Sequence, residues 1–378
     1  MRDLPAGTVK CAFTVNPDTD DPEYVRNLVV RKYPFTAPFS GRVILGSLKR
    51  LPPPLLRMGS FVTTLPFEGL IREIEMVYLG VPMSAREILE NQDEALRRIR
   101  GSVDHAIRGL RANVVGLGGA TAINGLANMI GSEFGSQIAV TSGNGFTGVM
   151  AVDGALGLFQ RVGHQLSGAS VAVIGAAGLV GRNSAFLLGS ELDRTNTIHL
   201  VGRVGDTSSR LLDLRQDLQN QTSATVVVSD IERAIRQSKL ILAVSSSADP
   251  LAINPRWLLP GTVVVDVARP RDIALQLVTA RDDIFVVDGG VVSCPFTKQS
   301  FTFGFDKGTL FACMAETILV ALMGNYQGKY SIGDVNLVWL QHLRLVAQQS
   351  GMKIAGWRSF DHPFGEDKIR RIMSNAGL

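Results

Sequence analysis

The sequence predicts an α/β protein built mainly around parallel strands. Three segments, 113–131, 138–160 and the one that begins at 168, each read as a strand, a glycine-containing turn and a helix. A strand followed by a helix is the repeating unit of that fold class. The composition agrees, because the 378 residues include 39 glycines, 46% hydrophobic residues and only 19% charged residues, as expected of a globular chain with many tight turns. The length suggests two domains.

The N-terminal part gives the weakest pattern. Residues 1 to about 65 are predicted to be irregular, with the proline-rich stretch LPPPLLR at 51–57. The following segment, 69–81, alternates well enough for a strand. Ser84 and Glu87 then form a capping box that opens a helix. Its apolar residues recur at spacings of three and four, at Leu96, Ile99, Val103, Ile107 and Leu110.

Two β-to-α turns carry the loops GLGGATA and TSGNGFT, both rich in backbone amides and hydroxyls. Such loops lie at the carboxyl ends of parallel strands, where α/β proteins bind their ligands. We therefore expect a binding site here, although two tight turns without a ligand would have the same composition. The residues expected to bind substrate are Gly118, Gly119, Thr121 and Thr141.

A third turn has the spacing of a dinucleotide-binding loop. The strand 170–174 is followed by Gly175, Gly178 and Gly181 and then by a helix. The first glycine permits the sharp turn, the second lets the backbone approach a pyrophosphate, and the third lets the helix pack on the strand. The segment 168–290 is therefore predicted to be a Rossmann domain with a doubly wound parallel sheet. The turn residues Ala176, Leu179 and Val180 join the three glycines as expected cofactor contacts.

The next predicted strand, 197–203, bears on the choice of nicotinamide cofactor. NAD enzymes usually end this strand with a carboxylate that binds the ribose hydroxyls, but here the strand ends at Arg203 and Ser208 follows soon after. These residues favour the 2′-phosphate of NADPH, whereas Asp206 is a nearby carboxylate that would argue for NADH. Later strands are predicted within 239–253, 262–270 and 283–292, and Ser245 and Ser246 follow the first of them as further cofactor contacts.

The chain after 290 is predicted to be mostly helical and to return to the first domain. The expected domains are thus a substrate domain, 1–165, a Rossmann domain, 168–290, and a C-terminal segment, 291–378, that completes the substrate domain. The active site would lie in the cleft between the domains.

The C-terminal segment opens with the stretch LFACMAETIL, which places Cys313 early in an apolar helix. A cysteine in such a helix is most often a small buried hydrophobe. Its position near a helix N-terminus, however, is one that lowers a thiol pKa. Glu316 lies one turn further on the same face. A thiolate beside a hydride donor could accept an acyl group from a thioester and present its carbonyl for reduction to an aldehyde.

Several of these motifs together resemble one enzyme family. GLGGATAI, TSGNGFT, VAVIGAAGLVG, VVDGGVV and LFACMAETIL occur in the order and approximate spacing of the long-chain acyl-(acyl carrier protein) reductases. The likeness covers about residues 69–350. It implies NADPH-dependent formation of fatty aldehydes from an acyl thioester of acyl carrier protein or CoA, with Cys313 as the acyl acceptor. The few, scattered cysteines separately lead us to expect a protein of the reducing cytoplasm. Peripheral membrane contact is a further implication of an apolar acyl chain.

The remaining site residues are assigned less directly. Ser142 and Asn144, with backbone amides of the two loops, are candidates to stabilise an oxyanion, and the proton donor is water, Glu316 or Lys307. Cys294 is the second candidate nucleophile, and Cys11 falls outside the matched region. Relative to the family, Ala120, Ser142 and the loop DVARPRD (266–272) are departures that surround the expected acyl site, so the acyl chain length stays open.

Three cysteines are too few and too scattered for a disulfide framework or a structural zinc site, and no metal is expected. No secretion signal or membrane span is evident, and the net charge of +4 suits an acidic partner such as a carrier protein. No nucleic-acid motif is present. Alternative functions are reduction of another thioester, as in aminoacyl-tRNA reductases, a non-covalent NADP-dependent dehydrogenase, and a non-catalytic NADPH sensor or scaffold.

Overall fold

The computed structural model describes most of the chain, namely residues 8–17, 40, 43, 47–52, 56–123, 125–202, 209–245, 250–295, 297–299, 305–333 and 336–378. The strands are β1 Val9–Val15, β2 Arg57–Phe67, β3 Leu70–Gly80, β4 Val114–Leu117, β5 Ala139–Thr141, β6 Ser170–Ile174, β7 Thr197–Val201, β8 Thr225–Val228, β9 Leu240–Ala243, β10 Val263–Asp266, β11 Phe285–Asp288, β12 Val291–Ser293, β13 Thr297–Gln299, β14 Thr309–Phe311, β15 Gly328–Tyr330, β16 Lys353–Ile354, β17 Arg358–Ser359 and β18 His362–Pro363.

The helices are α1 Ala85–Glu90, α2 Gln92–Arg108, α3 Leu126–Phe134, α4 Asn144–Arg161, α5 Leu179–Glu191, α6 Ser209–Gln219, α7 Ile231–Gln237, α8 Leu275–Ala280, α9 Ala312–Leu322, α10 Leu337–Gln349 and α11 Glu366–Ala376. Short 3₁₀ turns occupy Gly119–Ala122 and Pro255–Trp257. None of these described helices is long and apolar enough to cross a membrane. Helices and largely parallel sheets thus confirm the predicted α/β class.

The first sheet has seven strands in the order β13-β2-β3-β1-β4-β5-β15. Strands β1, β3, β4, β5 and β15 run parallel, whereas β2 and β13 form an antiparallel edge. Both outer strands, β13 and β15, come from the part of the chain that follows the second sheet in the sequence. Because these five strands run parallel, their carboxyl ends share one edge of the sheet. The loops after β4 and β5 lie at that edge.

The second sheet has six parallel strands in the order β11-β10-β9-β6-β7-β8. The order reverses at β6, the strand that runs into the glycine turn. This strand order is that of a dinucleotide-binding Rossmann sheet, in which a ligand lies at the point of reversal.

Helix α9 lies at the centre of the molecule. Ten of its eleven residues are buried, and it packs on β1, β3, β4 and β5 of the first sheet and on α4. One hydrophobic cluster runs from the first sheet through α4 and α9 into the second sheet. The two sheets therefore share a core, and residues on α4 and α9 can act between them. The predicted division into three domain segments remains a prediction.

Three sequence predictions for individual elements were wrong. Residues before 65 are not all irregular, because β1 lies in the middle of the first sheet and pairs with both β3 and β4. The helix opened by the Ser84 capping box ends at Glu90, and α2 begins after a new cap at Asn91. The strand expected over 283–292 is two strands, since Gly290 adopts φ of +68° and β12 turns into a separate antiparallel sheet.

Candidate functional site

Cys313 is the second residue of α9, at the junction between the two sheets. The amide of Ala312 donates a hydrogen bond to the carbonyl of Gly290 at 2.8 Å, and Gly290 lies two residues beyond the last strand of the second sheet. The thiol therefore sits at the start of a buried helix that is tied directly to the end of the Rossmann sheet. As a whole residue Cys313 is partly exposed, whereas Cys11 and Cys294 are buried; its thiol group is nevertheless covered by the surrounding protein.

The TSGN loop lies against this thiol residue. Gly143 caps the N-terminus of α4 with φ of +71°. A Cβ atom placed on Gly143 would lie 2.9 Å from the carbonyl oxygen of Cys313 and closer still to its Cα and Cβ atoms. Only glycine allows both this backbone angle and this approach. The structure thus brings together two motifs that are 170 residues apart in the chain.

Glu316 fixes the loop in this position. Its buried carboxylate accepts a hydrogen bond from the Thr141 hydroxyl, and it accepts another from the Phe146 amide at 2.6 Å. The Gly145 amide and the Ser331 hydroxyl are further donors. Burial raises the pKa of the Glu316 carboxyl, and these donors oppose the rise by favouring the charged form. The carboxylate is occupied by groups of the loop rather than turned to an open cleft.

The hydroxyls of the TSGN loop are also engaged. Thr141 donates to Glu316, and Ser142 donates to the carbonyl of Ser331. In the GLGGATA loop the Thr121 hydroxyl donates to the Gly118 carbonyl at 2.7 Å and lies 3.0 Å from the Thr14 hydroxyl. These hydrogen bonds stabilise the loops, so a role of the Thr141 or Ser142 hydroxyl as an oxyanion donor, or of the Thr121 hydroxyl in binding substrate, requires a rearrangement.

Asn144 and the glycine pair 118–119 occupy places that suit the predicted binding roles. Asn144 is the first residue of α4 and follows Gly143 directly. Gly119 has φ of +55° and is exposed, and the space beside Gly118 is filled by the Phe13 ring. Gly119 is therefore exposed at the carboxyl end of β4, whereas Gly118 is buried and its amide donates to the Thr14 carbonyl. The role of both in binding substrate stays a prediction.

The thiol pKa differs from the sequence expectation. The pKa of the Cys313 thiol is raised to about 12, chiefly by burial and also by the nearby Glu316 carboxylate, while the amides of Met314 and Cys313 oppose the rise. The helix N-terminus thus has the expected sign but is outweighed by desolvation. The expectation of a lowered thiol pKa is wrong for the ligand-free protein.

The glycine turn after β6 has the geometry needed for a diphosphate. Gly175 adopts φ of +90°, and a Cβ atom there would lie 2.8 Å from the backbone of Ser245. A Cβ atom on Gly181 would collide with the Gly175 carbonyl. Gly178 caps α5 without a side-chain hydrogen bond, so no side chain competes with a ligand for the first amides of the helix. The residues present therefore fit a dinucleotide.

The rest of the predicted cofactor site is only partly described. Ala176 is buried in the turn, and Leu179 and Val180 are half-buried at the start of α5. Ser245 donates from both its amide and its hydroxyl to Asp272, a partner that the sequence did not suggest. Arg203, Asp206, Ser208 and Ser246 lie outside the described residues.

Helix packing links the glycine turn to the thiol. The buried side chain of Asn183 on α5 donates to the Asn144 carbonyl on α4 at 3.3 Å. A Cβ atom on Gly148 would lie 3.0 Å from the Asn183 Cβ, so the two helices approach closely. One face of α4 thus contacts the helix of the cofactor turn, and its first residues contact Cys313 through Gly143.

The loop DVARPRD contributes residues that the sequence singled out only as a departure from the family. Buried Asp266 accepts hydrogen bonds from the amides of Ala268, Asp272 and Ile273, and burial raises its pKa to about 6. Arg269 from this loop lies 5.8 Å from the ring centre of Phe311, the residue that caps α9. The loop therefore reaches from the cofactor side of the molecule to the thiol helix.

Cys294 lies away from the TSGN loop, beside Thr63 of β2. It is buried, its Sγ is 3.6 Å from the Thr63 hydroxyl, and burial raises its thiol pKa. Lys307 is exposed on the loop before β14. Among the described residues there is no group of three or more His, Cys, Asp or Glu side chains that could hold a metal ion.

No protein-family model matches the chain. A curated relative, aminotransferase PigE of a Serratia species, is 32% identical over 255 residues, which cover 64% of this chain and 28% of the relative. The chain thus spans less than a third of the length of that relative.

Three similar solved structures are each distant from this chain. The NAD-dependent malic enzyme of Thermotoga maritima aligns with 97% of this chain and 84% of its own, at 11% identity and a TM-score of 0.45. Shikimate 5-dehydrogenase of Listeria monocytogenes aligns with 76% of this chain and 88% of its own, at 10% identity and a TM-score of 0.35. Glutamyl-tRNA reductase of Methanopyrus kandleri aligns with 78% of this chain and 54% of its own, at 17% identity and a TM-score of 0.29. Likeness of this degree carries no argument about function.

Proposed function

We propose that the protein reduces an acyl thioester to an aldehyde, with Cys313 as the acyl acceptor and a nicotinamide dinucleotide as reductant. The observation that carries the proposal is the contact of Gly143 with Cys313 at the head of α9, because it places the one partly exposed cysteine beside the loop at the carboxyl end of β5. The same helix end is bonded to Gly290 at the end of the Rossmann sheet.

The proposed reaction has two half-reactions. In the first, the Cys313 sulfur attacks the thioester carbonyl carbon, a new C–S bond forms, the carrier C–S bond breaks, and the thiol proton passes to the carrier sulfur. When bound at the glycine turn, the nicotinamide supplies the hydride that the acyl carbonyl carbon accepts. The oxyanion then re-forms the C=O bond, the bond to Cys313 breaks, and the sulfur takes up a proton from water.

The raised thiol pKa favours attack that is coupled to proton transfer. A thiol with a pKa of about 12 is protonated at neutral pH, so the resting protein holds little thiolate. The Cys313 thiol must therefore lose its proton as its sulfur attacks the bound substrate. The sulfur of the departing carrier is the final acceptor of that proton. Glu316 is already surrounded by loop donors, and we therefore assign it to positioning the loop and not to proton transfer.

We extend the proposal to cofactor and carrier. NADPH is the proposed reductant because the sequence has Arg203 and Ser208 after the second Rossmann strand, at the point of the sequence where NAD enzymes usually have a carboxylate. Tighter binding of NADH would contradict this. The carrier is acyl carrier protein or CoA, in keeping with the net charge of +4. The name aminotransferase does not transfer to this chain, which spans 28% of that relative. An aldehyde product would nevertheless be compatible with a relative of that name, because amino-group transfer consumes a carbonyl compound.

The test is acyl labelling without NADPH. The protein is mixed with hexanoyl-CoA and its intact mass is measured, in the wild type and in Cys313→Ala and Cys294→Ala. We expect a gain of one hexanoyl group in the wild type and in the matched control Cys294→Ala, and no gain in Cys313→Ala. Label that persists in Cys313→Ala but disappears in Cys294→Ala would move the reaction to the other thiol. If no protein were labelled but aldehyde formed once NADPH was added to the same mixture, a non-covalent dehydrogenase would be favoured.

A further inference from the structure

The residues that follow β9 form one wall of the proposed cofactor crevice. Strands β6 and β9 lie side by side in the second sheet, and the strand order reverses there. A dinucleotide binds outside the carboxyl ends of the strands at such a point. Strand β6 runs into the glycine turn, and β9 runs into Val244 and Ser245. The diphosphate of a bound cofactor would therefore lie beside both segments.

These two segments are in backbone contact. A Cβ atom on Gly175 would lie 2.8 Å from the amide nitrogen and from the Cα atom of Ser245, and 2.9 Å from the carbonyl carbon of Val244. Backbone atoms cannot swing aside as the end of a side chain can, so the position of Ser245 sets the space at the turn. A small displacement of Ser245 would change the site that a diphosphate enters.

One buried residue, Asp272, holds Ser245 in this position. The Asp272 Oδ2 atom accepts a hydrogen bond from the Ser245 amide at 2.7 Å, and Oδ1 accepts another from the Ser245 hydroxyl. The backbone carbonyl of Asp272 also accepts a hydrogen bond from the Leu251 amide at 2.7 Å. The chain that leaves β9 is thus bonded to Asp272 at 245 and again at 251.

Asp272 is itself fixed by the neighbouring strand. Asp266, the last residue of β10, accepts hydrogen bonds from the Asp272 amide at 3.3 Å and from the Ile273 amide at 3.0 Å. Strand β10 pairs with β9 over the full length of both strands. Asp272 therefore belongs to a support that is anchored in the sheet, and a binding site needs such a support to keep its geometry.

Resting on the cofactor part of the proposed function, we propose that Asp272 is a positioning residue for NADPH, which holds Ser245 against Gly175 and so sets the space for the diphosphate. Both of its carboxylate oxygens accept hydrogen bonds from Ser245, and its side chain is buried. Asp272 therefore acts through Ser245 and does not touch the dinucleotide. The adenosine end of the cofactor, which in this fold lies at the next strand, does not depend on it.

The experiment measures nucleotide binding in wild type, Asp272→Asn and the control Asp283→Asn. Asparagine keeps one acceptor oxygen and places an NH₂ group against one of the two Ser245 donors. Asp283 is a matched carboxylate, because both of its oxygens also accept hydrogen bonds, at 2.6 and 2.8 Å from the Arg281 guanidinium. Two dissociation constants are measured: that of NADPH, from its fluorescence, and that of adenosine 2′-monophosphate, from displacement of NADPH. Thermal unfolding shows that each variant is folded.

We expect Asp272→Asn to bind NADPH about tenfold more weakly than the wild type, which corresponds to the loss of about one hydrogen bond. Its affinity for adenosine 2′-monophosphate, which has no diphosphate, should be unchanged, and Asp283→Asn should match the wild type for both nucleotides. An unchanged NADPH affinity in Asp272→Asn would overturn this inference alone. Equal losses for the two nucleotides would also overturn it, because they indicate general damage to the fold. A wild type that binds no NADPH would overturn the proposed cofactor and this inference with it.

A milder variant covers the case in which Asp272→Asn does not fold. Ser245→Ala removes the hydroxyl that donates to Asp272 and keeps the hydrogen bond from the amide. We expect it to bind NADPH about threefold more weakly, again with no change for adenosine 2′-monophosphate. Wild-type affinity for NADPH in Ser245→Ala would count against the proposal.

Discussion

The arrangement of donors around Glu316 predicts a specific response to the substitution Glu316→Gln. The carboxylate has one oxygen that accepts from the Thr141 hydroxyl and one that accepts from the Phe146 amide. Glutamine keeps only one acceptor oxygen and places an NH₂ group against a donor on the other side. A buried donor left without an acceptor costs about 1–3 kcal/mol, while removal of a buried charge returns part of that cost. We expect a net loss of about 2 kcal/mol.

The loss should appear in both stability and labelling. Thermal unfolding is expected to shift down by roughly 2–4 °C for a chain of this size. Acylation by hexanoyl-CoA should slow, because the loop that sets Gly143 against Cys313 loses one of its anchors. The matched control is Glu133→Gln, which removes a carboxylate paired with Arg100 on the surface. Exposed pairs contribute about 0–1 kcal/mol, so the control should unfold close to the wild type.

A refuting result is equally specific. If Glu316→Gln unfolded at the wild-type temperature and acylated at the wild-type rate, Glu316 would not hold the loop and its contacts would have no bearing on Cys313. If stability were unchanged but the pH dependence of acylation moved by a unit or more, Glu316 would take part in proton transfer and the assignment to positioning would be wrong.

Two further predictions follow from the same site. Gly143→Ala should lower the free energy of unfolding by about 2–4 kcal/mol and abolish acyl labelling, because it adds a strained φ and a Cβ atom overpacked against Cys313. The control is Gly125→Ala, at a helix cap with φ of +81° and no atom within 4 Å of an added Cβ. It should lower the free energy of unfolding by only about 1 kcal/mol. If chemical denaturation gave the same loss of unfolding free energy for both variants, the contact between Gly143 and Cys313 would make no difference to stability. Alkylation of Cys313 should accelerate about tenfold per pH unit through the alkaline range up to its pKa of about 12. Because this pKa is raised in the folded state, the thiol's contribution to stability is complete below pH 9.0 and is lost as the pH rises towards about 12. A plateau in alkylation below pH 9.0 would contradict the structure.

The elements that sequence patterns predicted well are those defined by neighbouring residues. The turns after β4, β5 and β6 each combine a short apolar strand, a glycine whose backbone angle or close packing excludes a side chain, and a helix that follows at once. Strand β1 was missed although Val9, Cys11, Phe13 and Val15 alternate in VKCAFTV. Its partners Ile74 and Val114 are distant in the chain, and an isolated run of seven residues does not reveal that it is central.

The site was predictable as a set of motifs but not as a geometry. Gly143 of the TSGN loop and Cys313 of α9 both belong to motifs that are recognisable in the sequence. Their contact, however, depends on how α9 crosses the first sheet. The four donors around Glu316 come from two separate segments, residues 141–146 and the loop at 331, and Glu316 itself lies on a third, α9. No local pattern records such an arrangement, because packing of distant segments decides it.

The thiol pKa shows which physical effect sequence reasoning underestimates. Position on a helix is local, so the stabilising influence of the amides at 313 and 314 could be inferred from the apolar helix and its start. Desolvation depends on every segment that covers the sulfur, including Gly143 of the distant loop, and here it exceeds the effect of the amides. A thiol covered in this way holds little thiolate at neutral pH, so it reacts slowly with oxidants and electrophiles when no substrate is bound. The same cover becomes useful when an acyl group arrives, because an oxyanion formed in a dry site gains more from a single neutral donor than it would in water.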